Sequence, residues 1–300
     1  MITIFATPKA FTDPHINTIQ RNAFESWRKL NPTFQIILFG DESGTAKTAS
    51  KYGFEHVRDI KSDEFKTPLL DSVFKKIEDI AKFDILMYIN CDIVLMNDFI
   101  SSVEKILPSV KSGKFLIGGE RWDADIKEQI NFENPNWQNK LREFVIKNSK
   151  LHGPTGIDYF IFNKGLFGEI PPFAIGRFAW DSWLIWKARR EKAYVINATP
   201  SIMAVHENHP QPRNLGGEEA FKEERRRNTK LAGPNKLHLD DANFIFENGQ
   251  LRKPSANLRF LKRRILYTFP ALHPTFRPLS SLVRFFYSLF GSNGNKKNFG

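Results

Sequence analysis

The sequence has a single cysteine, Cys91, which excludes an intramolecular disulfide framework and fits a reducing compartment. One thiol and seven scattered histidines also give no tetrahedral zinc set. No uninterrupted apolar stretch approaches the roughly 20 residues of a membrane-spanning helix. The opening "MITIFATP" is too short and too β-branched for the basic and apolar regions of a secretory leader, so a cytoplasmic protein is expected. There is no G-x-x-x-x-G-K-[ST] loop, no internal repeat and no low-complexity tract. Acids are missing from the last fifty residues. Residues 251–300 carry ten Lys and Arg side chains and no Asp or Glu, whereas the other 250 hold 34 basic and 33 acidic ones. The net charge of +11 therefore belongs to the tail. A basic groove through the whole protein is not indicated, and no nucleic-acid partner is expected.

What is present is core. With 41% hydrophobic residues in 300, the chain can build one large α/β domain or two modest ones. Its first half alternates apolar runs with helical periodicity. "ITIFA" (2–6), "FQIILFG" (34–40), "FEHV" (54–57), "DILMYI" (84–89) and "KFLIGGE" (114–120) read as strands. Residues 15–30, with Ile16, Ile19, Ala23, Trp27 and Leu30 in helical spacing, read as a helix, as do 45–52, a segment capped by Thr67 with Pro68 at its first position, and one capped by Asn97 or Asp98. Strands that are apolar throughout need cover on both faces, so the pattern predicts a mostly parallel sheet flanked by helices. The second half is less regular. Strands are expected within 155–167, 193–199 and 201–210, helices over 178–190 and 217–231, and a hairpin turn at Asn248-Gly249. The expected division is a catalytic domain over 1–250 and a basic amphipathic tail over 251–300.

In open parallel sheets ligands collect beyond the carboxyl ends of the strands. Those ends are Thr7-Pro8-Lys9, Asp41-Glu42 and Asn90-Cys91-Asp92, each a polar break after an apolar run. An acid at such a place is costly unless it is paired, hydrated or metal-bound. Asp92 either turns the chain or marks a site.

The strand-plus-triplet "YINCDIVLMNDF" resembles the Asp-any-Asp signature of nucleotide-sugar glycosyltransferases of the GT-A fold. The resemblance extends over roughly residues 1–210. It implies a GT-A-like, Rossmann-type sheet, an NDP-sugar donor carrying UDP or GDP, and a divalent metal, Mn²⁺ or Mg²⁺, at Asp92 beside the diphosphate. This chain departs from the motif at its first acid, which is Asn90, an amide suited to ribose or sugar and a poor metal ligand. By the same resemblance, Thr7, Pro8 and Lys9 belong to the nucleotide-cradling loop, Asp41 falls where base or ribose binds, and Lys66 faces the diphosphate. Asp41 is also a plain turn residue in "GDESG", and Lys66 an ordinary solvated charge. "GPTGIDYFIFNKGLF" and "GRFAWDSWLI" match the acceptor side. There Asp158 would touch donor sugar or acceptor, and Asp181 would serve as general base; otherwise Asp181 caps its helix. By the same resemblance "VHENH" would supply His206 as a second metal ligand and His209 as a phosphate contact.

The function implied is metal-assisted, inverting transfer of a sugar to a hydroxyl of a glycan or lipid-linked surface-polysaccharide precursor. A sugar-phosphate nucleotidyltransferase would carry a Gly-rich loop after the first strand, and "ATPKAFTDPH" has no glycine. A non-catalytic reading rests on the tail, where Leu258, Leu261, Ile265 and Phe269 share a helical face beside Arg259, Lys262 and Arg263, with a second aromatic face over 279–290. Such a tail either packs on the domain or lies on an anionic membrane surface.

Overall fold

The computed structural model describes residues 1–110, 113–209 and 217–278. Its first half lays down strands β1 (Thr3–Ala6), β2 (Gln35–Phe39), β3 (Glu55–Val57), β4 (Ile85–Ile89), β5 (Ile93–Val94), β6 (Phe115–Gly118) and β7 (Arg121–Ala124). The helices between them are α1 (Pro14–Leu30), α2 (Thr45–Tyr52), α3 (Leu70–Ile80) and α4 (Asn97–Ile106). The second half continues with α5 (Trp137–Asn148), β8 (Lys150–Leu151), β9 (Tyr159–Asn163), α6 (Trp180–Arg190), β10 (Tyr194–Asn197) and β11 (Ala204–Glu207). Then come α7 (Gly217–Ala232), the hairpin β12 (Phe244–Glu247) and β13 (Gln250–Arg252), α8 (Leu258–Arg263), a π-helical turn and α9 (Phe269–Leu272).

Nine strands form one sheet in the order β13-β12-β10-β6-β9-β4-β1-β2-β3. Five of its pairings are parallel; only β9, between β4 and β6, and β13 run against the rest. This is the expected α/β architecture. Alternate residues of the strands feed two separate cores. Phe5, Ile37, Tyr88 and Phe162 pack under α3 and α6, whereas Ile4, Leu38, Met87 and Ile161 pack under α1 and α4. Burial on both faces is why the strands lack polar alternation. A smaller sheet, β5-β11-β7-β8, sits at the carboxyl edge with α5 packed over Val94, Ala124 and Val205.

Two helix starts differ from expectation. α3 begins at Leu70, because Pro68 and Leu69 are first engaged as bridges to Ser62 and Ala174. α4 has Met96 at its cap, since the Asp98 carboxylate instead takes the Met203 N–H (3.0 Å) and Arg142 (3.0 Å). The hairpin turn is as expected: Asn248 and Gly249 both have positive φ (52° and 74°), the left-handed pair that a tight hairpin requires.

The chain after β12–β13 packs on the body through one face. Arg263 and Thr268 bind the buried Asp241, and the Trp186 indole N–H donates to Ala271 O at 2.9 Å. Leu266, Pro270 and Ala271 are buried there, while Leu258, Leu261, Ile265 and Phe269 remain exposed. The aromatic segment 279–290 lies outside the described residues.

Candidate functional site

Three of the polar strand ends share one edge, because β1, β2 and β4 are parallel neighbours. The β4–β5 corner is held from below by α1. Trp27 donates its indole N–H to Ile93 O at 2.9 Å, and Ser26 Oγ accepts the Leu95 N–H at 3.1 Å. α1 itself is fixed by Asp13, whose side chain accepts the Ile16 N–H behind Pro14. Asp92 is thus carried on a rigid turn. β9 runs antiparallel, so its first end meets the last of β4: Asn90 N–H donates to Asp158 O at 2.9 Å and Asn90 Nδ2 to Asp158 Oδ1 at 2.5 Å.

The small sheet delivers the histidines. His206 on β11 stands between Ile93 and Asp123, and Glu207 N–H donates to Asp92 O at 3.1 Å. Ligand atoms of Asp92, His206 and His209 consequently lie within 4.8 Å of one another. His209 Nε2 is 3.0 Å and His206 Nε2 4.0 Å from Asp92 Oδ2, and the two imidazoles are only 8% and 12% exposed. The other ring nitrogen of His206, Nδ1, is 3.4 Å from Asp123 Oδ1. The Asp123 carboxylate beside Nδ1 makes no hydrogen bond to it, yet places negative charge behind the ring whose Nε2 faces the cluster. Asp123 is held in turn by Arg121 (2.8 Å) and His152 (2.7 Å).

A cation fits this cluster. Asp92 Oδ1 is buried with no hydrogen-bond partner among the described residues, so a ligand atom is spare. Burial opposes the Asp92 charge, yet Lys9, His209 and His206 outweigh it and hold the carboxyl well below its usual range. One carboxylate with two imidazoles is a borderline donor set, better matched to Mn²⁺ than to Mg²⁺.

Asp181 lies in the first turn of α6, after Ala179 in a left-handed conformation (φ 92°). It does not cap the helix from outside; its carboxylate accepts the N–H of Ser182 at 2.7 Å. Burial, with the charge of Asp158 nearby, pushes its pKa up to about 6. Asp158 differs, because both its oxygens are engaged, one by Asn90 and the other by Arg121 at 2.7 Å.

The remaining sequence candidates are placed as follows. Lys9 reaches Asp92 Oδ2 at 3.2 Å. Thr7 Oγ1 stands 3.5 Å from the buried Tyr88 hydroxyl, and Pro8 is buried beside it. Asp41 is exposed and paired with Arg58 at 3.0 Å. Lys66 is exposed in a left-handed turn (φ 64°) before α3, with no described contact to the Asp92 cluster. Sequence reasoning missed Arg121, Asp123, His152 and Glu207. The available signal was "ERWDAD", where charges at alternate positions point to one face of a strand. Glu207 is fully buried against Asn22 Nδ2 (3.0 Å), and burial raises its pKa to about 9.

No family profile and no curated sequence matches this chain. Among solved structures it is similar to glucosyl-3-phosphoglycerate synthase from Mycobacterium tuberculosis. That enzyme, in complex with Mn²⁺, uridine-diphosphate-glucose and phosphoglyceric acid, is 14% identical, with a TM-score of 0.45 over 77% of this chain and 78% of that one. S. aureus TarS is 10% identical, with a TM-score of 0.40 over 69% of this chain and 35% of that one. Both similarities are remote, so the chemistry is judged on the atoms of the site.

Proposed function

We propose that the protein transfers a sugar from a nucleoside-diphosphate sugar, carrying UDP or GDP, to an acceptor hydroxyl with inversion. The observation that carries this reading is the cluster of Asp92, His206 and His209 at the carboxyl end of β4, whose ligand atoms lie within 4.8 Å of one another, together with a second carboxylate, Asp181, set in the opposite direction. Asp92 is kept ionised within a cation-binding cluster, and Asp181 is raised to about 6. Opposed settings of this kind separate a charge-binding carboxylate from a proton-accepting one.

Asp92 and His206, with His209, would hold Mn²⁺ or Mg²⁺, which when bound supplies positive charge against the departing diphosphate. Lys9, Thr7 and Pro8 line the same edge, where the diphosphate and nucleoside would lie. Asp41 and Lys66 are candidates for the outer nucleoside and phosphate contacts. Asp158 is locked by Asn90 and Arg121, so it shapes the sugar side, leaving Asp181 to accept the proton. In the step itself, the acceptor O–H proton passes to Asp181. The acceptor oxygen forms the new bond to the anomeric carbon, and the bond to the diphosphate oxygen breaks, releasing the nucleoside diphosphate. The test is nucleoside-diphosphate release from UDP- and GDP-sugars by wild type, Asp92→Ala and Asp181→Asn. Near-wild-type turnover in both variants would sink the assignment.

The acceptor reading is a glycan or lipid-linked precursor presented at the cytoplasmic face of a membrane. It is supported by the outer face of α8 and its continuation, where Leu258 is 83% and Ile265 66% exposed beside Arg259 and Lys262. No helix among the described residues is long and apolar enough to cross a membrane, so attachment would be at the surface. Each basic side chain near an anionic bilayer contributes about 1 kcal/mol. Co-flotation with phosphatidylglycerol vesicles should be lost in Leu258→Ser/Ile265→Ser; equal flotation of variant and wild type would refute membrane attachment by this face.

A further inference from the structure

The Lys9 ammonium stands where a metal ion would. Its Nζ is 3.2 Å from Asp92 Oδ2 and 2.8 Å from His209 Nε2, and those two ligand atoms are 3.0 Å apart. The Asp92 carboxylate oxygen and His209 Nε2, two atoms able to ligate a metal, thus both stand within 3.2 Å of one ammonium.

The way Lys9 is mounted separates its backbone from its side chain. The fully buried Gln20 clamps the backbone at both polar atoms: Lys9 N–H donates to Gln20 Oε1 at 2.7 Å, and Gln20 Nε2 donates to Lys9 O at 2.9 Å. The side chain is 31% exposed. The ammonium can therefore swing out on its flexible stem while the loop that carries it stays fixed.

We propose that Lys9 is a built-in competitor for the divalent cation. Without a divalent ion bound, its ammonium neutralises Asp92 and fills the space beside His209 Nε2, so metal binding requires its displacement. The displaced ammonium then lies at the rim of the same cluster, where it can contact the anionic diphosphate. This last step rests on the nucleotide-sugar reading above; the competition itself does not. The metal is held weakly alone and tightly with a diphosphate that takes up the released charge.

The test is Mn²⁺ titration of the full chain without nucleotide, by calorimetry or by the electron-paramagnetic signal of free Mn²⁺. Lys9→Met removes the competing charge-assisted hydrogen bonds and should bind Mn²⁺ about tenfold tighter or more than wild type. Lys9→Met/Asp92→Asn should lose that gain, locating it in this cluster. Equal or weaker Mn²⁺ binding by Lys9→Met, or none by either form, overturns the proposal. UDP and GDP titrated at saturating Mn²⁺ should bind Lys9→Met more weakly than wild type. Tighter Mn²⁺ with no nucleotide binding to either form supports the competition and removes the diphosphate reading instead.

Discussion

Replacing Asp181 by asparagine should stabilise the protein while removing its activity. The ordinary carboxyl value of 3.8 is raised to about 6 in the fold by burial and by Asp158, with the Ser182 N–H opposing. The ionised form is therefore penalised in the folded state. Because the folded pKa lies above the unfolded one, the stabilising contribution is full below pH 3.8 and is lost as pH rises through about 6. At pH 7.5 the lost contribution is about 3 kcal/mol, at about 1.4 kcal/mol for each tenfold change in proton affinity. At pH 4.5 it is only about 1 kcal/mol. Asparagine keeps the Oδ1 acceptor for Ser182 and carries no charge, so Asp181→Asn recovers most of this. In a chain of 300 residues the gain corresponds to a Tm rise on the order of 5 °C at pH 7.5.

Denaturant melts of both proteins at the two pH values measure the gap directly. Turnover, read as nucleoside-diphosphate release, should fall by about 10² or more on loss of the proton acceptor. In the wild type, kcat/KM should climb with pH to a plateau above about 6. An asparagine variant that is less stable than wild type at pH 7.5, with a gap that does not change with pH, would falsify the assignment of a strained, functional carboxylate at 181.

Three other outcomes follow from the geometry. Asp123→Asn removes the negative charge beside His206 Nδ1 and should lower Mn²⁺ affinity about 10-fold or more in a calorimetric titration, with little change in Tm. Arg177 and Glu224 form a buried pair at 2.6 Å, only 3% and 0% exposed, between the loop before α6 and helix α7. Arg177→Met strands the Glu224 charge and should cost about 3–5 kcal/mol in urea melts, most of it recovered in Arg177→Met/Glu224→Leu. At Gly119 an added Cβ would stand 2.4 Å from Tyr159 Oη and 3.2 Å from Thr199 N. Gly119→Ala should therefore destabilise by about 1–3 kcal/mol. Adding Tyr159→Phe should relieve it, because that buried hydroxyl has no described hydrogen-bond partner.

The central strands were legible because burial on both faces leaves them little polar content: past Thr3 and Gln35, which hydrogen-bond to each other at 2.8 Å, β1, β2 and β4 are largely apolar until they reach the edge. The direction of β9 was not. Tyr159–Asn163 reads the same way up or down, and only its pairing with β4 and β6 sets it antiparallel. That reversal is what puts Asp158 beside Asn90, a contact no local pattern contains. The candidate ligands Asp92 and His206 could be found singly as polar residues ending apolar runs. Their carboxylate and arginine partners could not, because Arg121 and Asp123 sit on a four-residue strand whose sheet is assembled from segments far apart in sequence. The start of α3 was misplaced for a related reason, since the bridge to Ala174 outcompetes the local cap signal at Thr67.

The same contact accounts for the missing acid of the Asn-Cys-Asp triplet. Asn90 Nδ2 donates to Asp158 Oδ1 at 2.5 Å, and the other Asp158 oxygen is taken by Arg121. An aspartate at position 90 would turn that donor into a second acceptor, leaving two carboxylates with one guanidinium between them. Like charges at such a distance cannot both stay ionised without separating. Asn90→Asp should therefore cost about 1–3 kcal/mol at pH 7.5, the penalty of a buried polar group deprived of its partner. Much of the loss should return at pH 4.5, where the pair can share a proton. The sign follows from a raised pKa, whose stabilisation is present at low pH and lost as pH rises. Chemical denaturation at both pH values checks it, together with Mn²⁺ titration. An Asn90→Asp variant as stable as wild type at pH 7.5 and tighter for Mn²⁺ would mean that position 90 faces the metal. Loss of stability without metal gain would mean that the amide serves Asp158, so the site depends on one carboxylate and two imidazoles because its neighbour already occupies the place of a second acid.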